Sequence, residues 1–236
     1  MESKGPLTWP SPESVGKTTQ GAQTREALRA TLPVRQPLKP EELRYSKKAF
    51  PANAEIEYER SVIRIPFELK GKAKAAASQD VDIMAFDAYM RLIRQAPTRN
   101  GLGYSQFEFF IDAWELTNTY SKGLNADITF TISDCPQPKS VCVSLQRDSD
   151  YPALMVYNAL YDIYVGKEKI VEKQPGVAMA TPIWEIPPRN VTVAFEKPFE
   201  SELFTFSAGT CEGMTSVSQE EFERGAAAAR KVRGQD

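Results

Sequence analysis

The sequence predicts a mainly β protein, an antiparallel β-sandwich (or barrel) with one packed helix and a C-terminal helix. Three observations carry that prediction. After Ile56 the chain breaks into eight or more short runs in which apolar and polar residues alternate. Gly, Pro, Asn and Asp punctuate those runs at close intervals. The composition, 42% hydrophobic with 10% aromatic residues, supplies a core for a chain of 236 residues. The expected organisation is a proline-rich extended arm over 1–51, a β-sandwich domain over 52–212 and a helical tail over 213–236.

The arm holds seven of the 17 prolines and shows no sustained apolar period. One short helical stretch, TREALRAT at 24–31, interrupts it. Pro37 and Pro40 have the spacing of a polyproline II ligand, and the first fifty residues carry nine Lys or Arg against five Glu. VGKTT (15–19) has the core of a phosphate-binding loop, but Ser11 stands where the earlier glycine is required.

In IEYERSVIRIPFELKG, Ile63, Ile65, Phe67 and Leu69 alternate, and Pro66 signals an edge or a bulge. In DVDIMAFDAYMRLIRQA (80–96), Val81, Met84, Ala85, Ala88, Leu92 and Ile93 recur at helical spacing before Pro97, which predicts the packed helix. SQFEFFIDAWEL places Phe107, Phe109, Ile111 and Ala113 on one face, with Glu108 and Asp112 on the other. ITFTISDCPQPKSVCVSL reads as a hairpin around Pro136 and Pro138. Four more strand-like runs follow, from LMVYNALYDIYVG to ELFTFS. SQEEFERGAAAARKVRG then opens with Ser218 and Glu221 in capping-box register and ends at Gly234. Its apolar face, formed by Phe222, Ala226, Ala229 and Val232, is thin, so the helix is expected to dock loosely or to serve another chain.

The absence of histidine narrows the chemistry most. Hydrolytic triads and catalytic zinc sites generally use an imidazole, so a catalyst here would rely on carboxylates, Lys, Tyr, Arg or Cys. GLGYSQ (101–106) places Gln106 where a dinucleotide fingerprint has its third glycine, so no nucleotide cofactor is expected. Three cysteines are too few for a cysteine-only zinc site. Cys135 and Cys142 flank the proline turn and form the possible disulfide; in a reducing cytoplasm they are expected to be reduced, structural thiols. Glu108 and Asp112, four residues apart on a strand, stand roughly 13 Å from each other on the strand rise, too far for glycosidase chemistry. The aromatic third quarter supplies the possible ligand-contacting set: Tyr157, Tyr161, Asp162, Tyr164 and Trp184. Asp162 is singled out because it interrupts an apolar run. Asn190-Val-Thr192 has the pattern of a glycosylation acceptor, which matters only in an exported chain.

The expected function is that of a soluble, cytoplasmic, non-catalytic binding or assembly module without cofactor or metal. It would self-associate or bind a protein partner through the N-terminal arm or the C-terminal helix. A net charge of −2 and the lack of a long apolar run give no expectation of nucleic acid or membrane as partner. The alternative is a small-ligand-binding barrel or a histidine-independent carboxylate enzyme with glycosidase-like chemistry. A deep apolar cavity with an acid inside it would distinguish that alternative.

Overall fold

In the computed structural model, residues 48–77, 79–117 and 119–235 are described, and their alternating patterns form eleven strands and two helices. The strands are β1 (Glu55–Leu69), β2 (Val81–Arg94), β3 (Thr98–Arg99), β4 (Ser105–Thr117), β5 (Tyr120–Ser121), β6 (Ala126–Ile132), β7 (Ser140–Ser144), β8 (Ala153–Val165), β9 (Glu168–Ala180), β10 (Asn190–Glu200) and β11 (Phe204–Ser216). Helix α1 spans Gly71–Ala76 and α2 spans Gln219–Arg233. The stretch at 24–31, the VGKTT segment and the Pro37/Pro40 spacing lie outside the described residues.

Every pairing is antiparallel, and β2 pairs with both β1 and β4. That double pairing closes the sheet into a barrel, running β1, β2, β4, then β7 and β6, then β8, β9, β10, β11 and back to β1. Of the two architectures the sequence allowed, the ring selects the barrel. Closure removes most of the free edges an open sheet would expose. Between β9 and β10 only three residue pairs form, Val193 to Phe195 against Ala180 to Ala178.

The helix expected over 80–96 is instead strand β2, paired with β1 along its whole length. Asp82, Met84, Phe86, Ala88, Met90 and Leu92 share the inward parity. The outward residues Tyr89 and Arg91 are covered by α2, through Gly225 and Phe222 respectively. The outward positions of β2 are half-buried or exposed, yet several of them, Val81, Ala85 and Ile93, are apolar, and together with the inward row they mimic a 3.6-residue period.

A second correction concerns β4. A bulge between Ile111 and Ala113 shifts the phase, so Trp114 and Leu116, rather than Ala113, continue the inward row. The third concerns the expected hairpin at 128–145. β6 and β7 do not pair with each other; they run in the same direction and occupy one slot between β4 and β8. The intervening SDCPQPK bulges out because it holds more residues than the facing strands can match. Gln137 repairs the ladder: its Oε1 accepts the Leu160 amide at 2.9 Å, and its Nε2 donates to the carbonyls of Ser133 and Cys135 at 2.8 and 3.1 Å.

Aromatic layers fill both ends of the barrel. At one end Phe67 packs against Phe204 and Phe206 with ring centroids 4.8 and 5.3 Å apart, and Phe130 joins Phe206 at 5.5 Å. At the other, Phe50 meets Phe107 and Tyr151, each at 5.1 Å, and its amide donates to Asp150 Oδ2 at 2.7 Å. Arg94, only 1% exposed, fixes this end by pairing with Glu57 at 2.9 Å and Glu55 at 3.1 Å and by donating to the carbonyls of Pro51 and Asn53. A buried guanidinium needs this full set of acceptors.

Candidate ligand-binding site

Between the two aromatic layers the core is not filled. A cavity of about 70 Å³ lies among Ile63, Trp114, Tyr157, Tyr161, Phe195 and Cys211. Interiors normally leave few voids larger than a water molecule, and this one is several times the roughly 10–15 Å³ that a single water requires. Each lining residue follows from strand parity: Ile63 comes from β1, Trp114 from β4 beyond its bulge, Tyr157 and Tyr161 from β8, Phe195 from β10 and Cys211 from β11. Met90 and Met214 border it with unbranched thioether chains that adjust their shape at little cost.

Two polar side chains stand at the Glu59 end of this apolar space. Ser61 belongs to the cavity wall. Glu59, one inward position further along β1, is 4% exposed and lies across from Met90 on β2 and Ser216 on β11. No group among the described residues donates a hydrogen bond to its carboxyl, and no cation pairs with it. Burial pushes its pKa up to about 8, and the nearby Glu57 carboxylate adds to the rise. Glu59 is therefore largely neutral at pH 7, a donor in waiting. Tyr157 and Cys211 feel its charge, which places all three groups around one space. Burial holds the Tyr157 hydroxyl well above its ordinary value and the Cys211 thiol at about 12, so both keep their protons. The Tyr157 hydroxyl has only the thioether of Met155 as acceptor, at 3.6 Å.

The sequence-derived candidates divide between the inside and the outside of the barrel. Tyr157 and Tyr161 line the cavity. Asp162 faces away from it and anchors the bulge, accepting from Ser133 Oγ at 2.6 Å, Lys169 Nζ at 2.7 Å and the Lys173 amide at 2.9 Å. Burial alone would raise its pKa, but those three donors outweigh it and hold the carboxyl below its usual range. Tyr164 lies under α2, accepting from Gln235 Nε2 at 3.2 Å with the Arg233 guanidinium over its ring. Trp184 sits half-buried in the loop before β10. Cys135 and Cys142 are free thiols: Cys142 points inward from β7, and Cys135 lies in the bulge. Glu108 and Asp112 point outward and are occupied by Lys139 at 2.6 Å and Arg91 at 2.5 Å.

Glu59 is the residue that sequence reading missed. Its signal was present, because Glu59 shares the odd parity of Ile63, Ile65, Phe67 and Leu69, so extending that row toward the N-terminus puts an acid indoors. Among the described residues no group of three His, Cys, Asp or Glu side chains is placed to hold a metal ion, and no helix is long and apolar enough to cross a membrane.

No protein-family model and no curated protein matches the chain. Among solved structures, it is similar to that of DynF from the dynemicin biosynthesis pathway of Micromonospora chersina. The likeness has a TM-score of 0.53 at 12% identity, over 80% of this chain and 96% of that one. At that identity the two chains share a barrel-like β fold.

Proposed function

We propose that the protein is a small-molecule-binding barrel that holds a mainly apolar ligand in its central cavity. The observation that carries this reading is the unfilled, aromatic-lined space between two well-packed layers, with an acid at its edge that has no partner among the described residues. A purely structural barrel of this size would gain stability by filling that space. The similarity to a protein of a biosynthesis pathway agrees with a small-molecule ligand. The proposed compartment is the cytoplasm, which suits three free thiols. The carboxylate-enzyme alternative loses support, because Glu108 and Asp112 are outward and engaged by cations.

The test is calorimetric titration with alkylbenzenes of increasing chain length, alongside an Ala178→Phe variant that fills the cavity from β9. Wild type is expected to bind with an optimum length, and Ala178→Phe is expected to lose binding while retaining its circular dichroism spectrum. Absence of binding by wild type across the series would overturn the proposal.

A further inference from the structure

We propose that the ligand carries a carbonyl oxygen, and that this oxygen enters the Glu59 end of the cavity to accept hydrogen bonds from the Glu59 carboxyl and the hydroxyls of Ser61 and Tyr157. The proposal rests on the reading of the barrel as a ligand carrier and specifies the chemistry it selects.

Buried polar groups are almost always paired, and an unpaired one costs stability. Glu59, only 4% exposed, stands one inward position beyond Ser61, and the Ser61 and Tyr157 side chains belong to the wall of this otherwise apolar space. Among the described residues neither the Glu59 nor the Ser61 side chain has a hydrogen-bond partner, their oxygens keeping a residual contact with water, and Tyr157 has only a sulfur, a weak acceptor. A protein keeps such a cluster when a ligand completes it.

The protonation of the cluster fixes the complementary group. The groups that face Glu59 are Glu57 on β1, Tyr157 on β8 and Cys211 on β11, while its cross-strand neighbours Met90 and Ser216 carry no charge. Arg94 on β2 is committed to Glu55 and Glu57, and Arg60 and Arg91 pair with Asp87 and Asp112 on the outer face. With no cation paired to it among the described residues, Glu59 remains protonated at neutral pH, and Ser61 and Tyr157 are hydroxyls. All three are donors, and a carbonyl oxygen, with two lone pairs and a small desolvation cost, is the acceptor that suits them. An ammonium would have to lose its hydration in an apolar barrel, a penalty that a single buried acid does not recover.

The test uses three molecules of nearly the same shape: acetophenone, ethylbenzene, which replaces the carbonyl by a methylene, and 1-phenylethylamine, a cation. Calorimetry is run at pH 6.5 and 9.5 on wild type, Glu59→Gln and Glu59→Leu. At pH 6.5 wild type is expected to prefer acetophenone to ethylbenzene by about tenfold, the worth of one buried hydrogen bond. At pH 9.5, where Glu59 is ionised and repels the carbonyl, that preference disappears while ethylbenzene binding is unchanged. Glu59→Gln, which keeps an N–H donor, retains the preference at both pH values, and Glu59→Leu lacks it at both. Equal affinities for ketone and hydrocarbon at pH 6.5 would overturn the carbonyl assignment and leave the ligand carrier standing. Tighter binding of the amine at pH 6.5 would overturn it in favour of a cation site. Failure of all three molecules to bind would remove the ligand-carrier reading itself.

Discussion

At Glu59 the folded barrel favours a proton that the unfolded chain releases. An ordinary glutamate loses its proton near 4.5, whereas here burial moves that point to about 8. Between those values the native state binds more protons than the unfolded state, so this residue makes stability fall as pH rises through that window. Urea unfolding at pH 5.5 and 8.5 checks this: Glu59→Gln is expected to gain on wild type at the higher pH by the order of a few kcal/mol, and to gain far less at the lower. A gap between variant and wild type that does not change with pH would exclude the buried acid as its cause. Asp162 teaches the reverse lesson. Asp162, an acid interrupting an apolar run, is buried and perturbed as well, yet the strand turns it away from the cavity to Ser133, Lys169 and the Lys173 amide. Parity along β1 and β8 separated the two acids; the apolar neighbours of Asp162 did not.

The C-terminal helix shows what a hydropathy pattern omits. Its caps were legible: Ser218 accepts from the Glu221 amide at 3.2 Å, and Gly234 adopts the left-handed conformation that ends the helix. Its docking was not, because much of it is neither aliphatic nor wide. Phe222 packs on Tyr58 at 5.3 Å, and Gly225 lies so close to Tyr89 that a Cβ there would stand 2.5 Å from the ring. Arg233 reaches Glu115 at 2.6 Å, with both side chains largely shielded from water. Such a contact leaves no mark on a helical wheel that counts only apolar residues. Thermal or urea denaturation is expected to show that Phe222→Ala costs about 3 kcal/mol by cavity formation. Arg233→Met alone, which strands a buried carboxylate, is expected to cost a similar ~3 kcal/mol. The double variant Glu115→Leu/Arg233→Met should recover most of the latter loss, and a double variant as unstable as the single would show that packing, not charge, holds the helix end. β2 imitates a helix in sequence for a different reason: the apolar residues Val81, Ala85 and Ile93 stand on its outer face beside the inward row, so the alternation that marks a half-buried strand is blurred.

On the scale of the whole molecule, strand count and antiparallel character were readable because most strands bury only one face. Closure was not, since it depends on β2 pairing with β4, a contact no local pattern encodes. The cavity is likewise a property of the assembled ring, where Trp114 reaches the interior only because of the β4 bulge. The three-pair contact between β9 and β10 makes the ring uneven in strength. Amide hydrogen exchange is expected to be fastest, among strand residues, over 168–177 of β9 and 196–198 of β10, and slowest along the β1–β2 pair. Uniform protection around the ring would contradict that. An unpaired margin in a sheet also invites another chain to add to it, and here the two margins carry the residues that discourage such addition. Lys169, Glu172, Lys173 and Pro175 stand on β9, and Glu196, Lys197 and Pro198 on β10. Charges resist burial against a foreign strand, and each proline lacks the N–H that a new ladder would use. The polarity of this stretch thus protects the protein from templating its own aggregation at a place where the barrel is not sealed.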